Sequence, residues 1–114
     1  MLRIYPVLLQ LVADVRPLVR QLERNDPDLA RQCKRALSSG PLNVAEGSYS
    51  RGRNRTARPG CGVSPQRQHN AVGSVREVLA CFEVGAAMGY LPEVDPALRG
   101  RFDHVIGTLV NCVR

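Results

Sequence analysis

An all-α fold, an antiparallel up-and-down four-helix bundle, is what this chain predicts, on three observations. Apolar residues recur at the i, i+3, i+4 spacing of a helix face in four separate runs, and no period-2 strand pattern of any length occurs. Two Asp-Pro dipeptides, Asp26-Pro27 and Asp95-Pro96, stand where helices would begin. Asp accepts from the free N–H groups of a first turn, and Pro is preorganised for its first position. Aromatics are only 4% of the 114 residues and Trp is absent, so the core must come from Leu, Val and Ala, which suits packed helices. Residues 1–114 therefore read as one domain with a single core, and short connections favour antiparallel neighbours.

The first helix carries Leu8, Leu11, Val12, Val15, Leu18, Val19 and Leu22 on one face. Pro17 falls inside that run and removes a backbone donor, at roughly 3 kcal/mol in a straight helix. A kink near Ala13–Asp14 accommodates it, and the helix ends by Arg24-Asn25. Upstream, Arg3 and the apolar run Ile4 to Ala13 imitate a signal peptide. No small-x-small cleavage site follows, Pro6 interrupts the run, and Asp14 and Arg16 continue an amphipathic pattern. No segment approaches the roughly 20 apolar residues of a membrane span. The expectation is a cytoplasmic protein without a membrane partner. The four cysteines, Cys33, Cys61, Cys81 and Cys112, are scattered without a C-x-x-C and read as reduced thiols.

Asp26 caps a second helix with Leu29, Cys33, Ala36, Leu37, Gly40 and Val44 on one face. Local rules would stop it at Gly40-Pro41, although Leu42 to Glu46 keep helical character and Ser38 or Ser39 could bond a carbonyl freed by the proline. Arg51 to Asn70 then breaks the composition. It holds Arg51, Arg53, Arg55, Arg58 and Arg67, no acid, and the breakers Gly52, Pro59, Gly60, Gly62 and Pro65, so it is predicted irregular or disordered. The third helix runs from about Ala71 to Met88 with Val75, Val78, Leu79, Phe82 and Ala86 inward, capped by Gly89. Asp95-Pro96 opens the fourth, with Leu98, Phe102, Val105, Ile106, Leu109 and Val113 on one stripe. Gly73, Gly85 and Gly107 each cost roughly 1 kcal/mol in a helix, which marks them as close helix or subunit contacts. Ile4, Val7, Leu9 and Val110 extend the apolar surface of the first and fourth helices beyond the core face, as a homo-oligomer requires.

Chemistry-bearing patterns are scarce. A di-iron bundle needs two E-x-x-H pairs, and neither His69 nor His104 follows a Glu by three positions. Cys61 and His69 lack the second close-spaced pair of a zinc site. No Walker loop, dinucleotide fingerprint or nucleophile elbow occurs. The expectation is no metal, no cofactor and no enzymatic activity. Charge is more informative. Sixteen Lys plus Arg against ten Asp plus Glu give +6, the pI is about 9.8, and Lys34 is the single lysine. Guanidinium forks match phosphate geometry, although a GC-rich genome would also encode Arg wherever any cation serves. Arg51, Arg53, Arg55, Arg58 and Arg67 would neutralise several phosphates with little sequence preference. Tyr49 is the one aromatic nearby, which disfavours base stacking. The bland reading of the same run is a solvated basic loop.

Three motifs, Ser38-Ser39-Gly40-Pro41-Leu42-Asn43-Val44-Ala45-Glu46-Gly47-Ser48, Gly73-Ser74-Val75-Arg76-Glu77 and Gly89-Tyr90-Leu91, resemble the bacterial four helix bundle protein family, also called 23S rRNA intervening-sequence proteins. That family is related to the accessory variability determinant of diversity-generating retroelements. The resemblance implies a bundle assembled as a ring, with a pentamer as first choice, and a second helix that kinks at Pro41 and continues. It implies that Pro41, Asn43, Glu46, Gly47, Gly73, Ser74 and Glu77 serve packing and polar bonding rather than catalysis; the residues themselves read the same way, since a half-buried Glu46 needs to accept from Arg76, Asn43 or backbone near the kink. It also implies a basic surface for nucleic acid and, in the retroelement relatives, a reverse transcriptase partner. The chain departs from the family between Arg55 and Ala71, where an elaborated loop or a local frame error replaces the start of helix three. The resulting expectation is a non-enzymatic, nucleic-acid-binding oligomer acting on structured RNA or DNA. The alternative is an assembly or adaptor protein that binds another protein.

Overall fold

The proline at position 17 sets the first break in the fold. In this computed structural model, which describes residues 3–50 and 65–111 except for the side chains of 48–50, the first apolar run forms two helices, α1 (Ile4–Asp14) and α2 (Arg16–Asn25), hinged at Val15. Val15 has φ −91° and ψ 0°, the bridge region between helix and turn. A proline at 17 cannot donate to the Ala13 carbonyl four residues back. The Arg16 side chain takes its place, with Nε donating to Ala13 O at 3.0 Å. The expected kink is present, one residue past Ala13–Asp14. The apolar stripe passes through it intact: Leu8, Leu11, Val15, Val19 and Leu22 are all buried. Ile4 joins them at 7% exposure, so it belongs to the core and not to an outer oligomer face, because it stands one turn before Leu8.

Asp26 ends one helix and begins the next without a loop. Its N–H donates to Leu22 O at 2.7 Å, and its Oδ1 accepts from Leu29 N–H at 3.1 Å, the N-cap the Asp-Pro signal predicts. Asp26→Ala is expected to lower stability by about 1 kcal/mol, read in urea as a lower midpoint at unchanged slope. Helix α3 (Pro27–Ser50) passes through Gly40-Pro41 without ending. Ser38 Oγ donates to Lys34 O at 3.1 Å, and Ser39 Oγ is engaged by Asn43 and Ser74. Among the described residues neither hydroxyl is seen to bond the Leu37 carbonyl that Pro41 frees.

Helix α4 (Pro65–Ala87) starts six residues before the expected Ala71. Residues 65–70 are thus helical and not irregular, because Pro65 acts as a helix starter, its missing N–H being one the first turn leaves unbonded anyway. Residues 51–64, the rest of the expected irregular segment, lie outside the described residues. Helix α4 ends where Gly89 turns to φ +83°. Tyr90 N–H donates to Gly85 O at 2.8 Å and Gly89 N–H to Ala86 O at 3.1 Å, the paired bonds of a Schellman cap. Asp95 Oδ1 then accepts from Ala97 N–H at 3.0 Å, and α5 (Pro96–Asn111) follows.

The described residues are all-α and contain no strand. They pack around one core in which Phe82 meets Phe102 edge to face, centroids 6.2 Å apart at 77°. Leu37, Leu79, Leu98, Ile106 and Val110 lie half-buried against it. Of Gly73, Gly85 and Gly107, Gly85 makes a close approach: a Cβ there would meet Leu22 Cδ1 and Leu91 Cδ1 at 3.0 Å. Gly73 and Gly107 have nothing within 4 Å, so neither marks a contact within the chain. Val113 lies outside the described residues. Surface pairs Arg99–Glu83 at 2.8 Å and Arg101–Asp14 at 2.9 Å tie α5 to α4 and α1, each worth under about 1 kcal/mol. Among the described residues no helix is long and apolar enough to cross a membrane.

Candidate nucleic-acid interface

Helix α3 turns its apolar face to the core and its polar face outward, and the polar face floors three adjoining surface grooves. The first, toward α2, is lined by Arg16, Arg20, Glu23, Lys34 and Ser38. The second, toward the start of α4, is lined by Lys34, Arg35, Ser38, Ser39, Leu42, Asn43, Glu46 and Arg67. The third, farther along α4, has Gln32, Arg35, Ser39, Ser74 and Glu77. Lys34, Arg35, Ser38 and Ser39 recur between neighbours, so the three form one continuous strip.

A polar ladder across α3 and α4 lines that strip. Ser74 Oγ lies 2.8 Å from Ser39 Oγ. Asn43 Nδ2 donates to Ser39 O at 2.8 Å and Ser39 Oγ at 3.0 Å, while Asn43 Oδ1 accepts from Arg67 Nη1 at 3.2 Å. Arg67 Nη2 completes it on Glu46 Oε2 at 3.1 Å. Asn43 is buried to 9% exposure, where an unbonded amide would be costly. Both its polar groups are used. Pro41 and Gly47 are buried beside it. The motif residues Asn43, Glu46 and Ser74 thus meet in one bonded network.

Two expectations about this network need correction. Arg67 is not a loop cation: it sits in the first turn of α4, on the side facing α3, and is held by Asn43 and Glu46. Glu46 takes its guanidinium from Arg67 and not from Arg76, because the antiparallel register sets position 46 opposite 67. Glu77 lines the third groove with Arg35 but stands apart from the ladder, and Gly73 is exposed with open space beside it. Arg51, Arg53, Arg55 and Arg58 lie outside the described residues, on the segment joining the C-terminal end of α3 to the N-terminal end of α4.

Sequence reasoning missed the cations of the strip itself. Lys34 pairs with Glu23, and Arg16 is committed to Ala13 O. Arg20 and Arg35 have no carboxylate or hydrogen-bond partner among the described residues. Their signal was available: Arg16 and Arg20 are four apart on the polar face of α2, and Lys34-Arg35 interrupts no apolar position of α3. Plotting charge by helix face rather than along the chain would have found them.

The remaining titratable groups are dispersed. Hydrogen bonding from Gln10, then from Arg101, lowers the pKa of Asp14. His69 and His104 are both exposed. Among the described residues no cluster of three or more His, Cys, Asp or Glu side chains could hold a metal ion. Gln68 is fully buried, and neither amide atom has a partner among the described residues. Comparison of the chain with protein-family models, curated proteins and solved structures gives no match.

Proposed function

We propose that the chain is a non-enzymatic, oligomeric four-helix bundle, antiparallel and up-and-down, that binds structured RNA or DNA through phosphate contacts. Helices α1 and α2 count as one kinked helix in this architecture, with α3, α4 and α5 as the other three. The observation that carries the reading is the α3 strip, where the guanidiniums of Arg20 and Arg35, unpaired among the described residues, flank the hydroxyls of Ser38 and Ser39. Guanidinium forks and hydroxyls are the donors that phosphate oxygens accept. Arg51, Arg53, Arg55 and Arg58 add four further cations on the adjoining segment. The motifs shared with the 23S rRNA intervening-sequence protein family favour a ring assembly, a pentamer first, working in the cytoplasm and open to a reverse transcriptase or other protein partner. Val7 and Leu9 on α1, 42% and 44% exposed, provide apolar surface for neighbouring subunits.

The adaptor reading keeps one observation of its own. Val84 and Met88 are four residues apart at the end of α4 and are 48% and 59% exposed, an apolar spot suited to a protein partner.

Fluorescence anisotropy with duplex RNA and duplex DNA across a salt series tests the proposal. The expected result is binding at low salt that falls linearly on logarithmic axes as salt rises. No binding at low ionic strength, where phosphate attraction is strongest, leaves the adaptor reading standing. Light scattering at micromolar concentration is expected to give a multiple of the chain mass, and a monomer mass removes the ring.

A further inference from the structure

The register of α3 against α4 brings two nucleophiles together. A Cβ on Gly40 would lie 4.0 Å from Ser74 Cβ, which fixes those two positions opposite each other across the helix pair. Seven residues, about two turns, lead back along α3 from Gly40 to Cys33 and forward along α4 from Ser74 to Cys81. Because the helices run antiparallel, the same face-to-face relation recurs there. Both cysteines are buried and unbridged, at 0% and 4% exposure, and each thiol perturbs the other's pKa. The Cβ separation typical of a disulfide is about 3.5–4.5 Å, which the Gly40–Ser74 position already matches.

We propose that Cys33 and Cys81 are a redox-active dithiol that closes to an intramolecular disulfide on exposure to a low-molecular-weight disulfide. Cys81 is the attacking sulfur. The interaction with the Cys33 thiol lowers the Cys81 pKa, and the same interaction, with burial, raises that of Cys33. After local opening of the helix pair, the Cys81 thiolate attacks one sulfur of the small disulfide and expels the other half as a thiolate. Cys33 then loses its proton to water and attacks the Cys81 sulfur of the mixed disulfide, expelling the second half. Two protein thiols have lost two electrons and two protons, and one small disulfide has become two thiols. The product links α3 to α4 and closes a loop that contains the whole Arg-rich segment, which restricts the unfolded chain more than the folded one.

The full chain, equilibrated with reduced and oxidised glutathione mixtures, quenched with iodoacetamide and mapped by mass spectrometry, tests this. The expected product is a Cys33–Cys81 linked peptide pair, with a melting temperature raised by roughly 10 °C and restored by dithiothreitol. Cys33→Ala and Cys81→Ala should each abolish the linkage and the shift. The double variant Cys61→Ala, Cys112→Ala, which leaves the pair intact, should keep both. Alkylation of Cys33 and Cys81 at every oxidant ratio would overturn the proposal. So would their capture by Cys61 or Cys112, or a linked form that melts no higher than the reduced one.

Discussion

Phe82→Ala is expected to lower the free energy of unfolding by about 3–5 kcal/mol, the range for deleting a fully buried ring. Phe82 has no exposed surface, and its edge-to-face partner Phe102 is the only other phenylalanine in the chain. Losing the ring removes the transfer free energy of its carbons and leaves a cavity between α4 and α5. The flanking helices cannot readily fill it, because the Gly89 turn and the Asp95 cap anchor their connection. Against a typical domain stability of about 5–15 kcal/mol, that is at least about a fifth of the total. Phe82→Leu keeps most of the volume and should lose under half as much. Urea denaturation at one fixed protein concentration is the measurement, since the apparent stability of any chain that self-associates depends on concentration. A loss below about 1 kcal/mol for the alanine variant would mean that the ring does not sit in the core.

Three prolines show what the sequence made legible and what it did not. Pro17 was readable because its effect is local: it denies Ala13 O a donor, and a hinge follows within two residues. Pro41 was not, since every local rule ends a helix at Gly-Pro. Tertiary packing decides there, with Gly40 close enough to α4 that a Cβ would lie 3.4 Å from Val75 Cγ2, and only the resemblance to the four helix bundle protein family pointed to a continuing helix. Pro65 reads in the sequence as a breaker among breakers, yet it starts α4, because proline is unfavourable inside a helix and harmless at its first turn. That single misplacement moved Arg67 from a supposed loop into the α4 ladder. The site was readable in a similar, partial way. Asn43 and Glu46, three residues apart, announced a polar cluster needing a cation. Choosing Arg67 over Arg76 required the α3–α4 register, which no local pattern encodes. Arg20 and Arg35 were visible as charges but not as a strip, because they lie on different helices and come to line adjoining grooves only in the folded chain.

Replacing Arg20 and Arg35 with Ser is expected to weaken binding to duplex RNA and DNA together, and to flatten the logarithmic salt slope by about two units. Each guanidinium removed is one phosphate contact fewer, and a contact to phosphate carries no sequence information. The fold should survive, because both side chains are exposed and bond nothing among the described residues. Arg16 is left in place because its Nε holds the carbonyl that Pro17 frees. The quadruple variant Arg51→Ser, Arg53→Ser, Arg55→Ser, Arg58→Ser separates the strip from the adjoining segment. If both contact the nucleic acid, it should flatten the slope by about four units on duplex DNA, and the two sets of changes should add, as contacts without shared partners do. A slope lost through the quadruple variant alone would confine binding to residues 51–58. A slope lost through Arg20 and Arg35 alone would make the α3 strip the whole interface. Unchanged affinity and slope in both variants, with the parent protein still binding, would place the phosphate contacts on a surface other than these two.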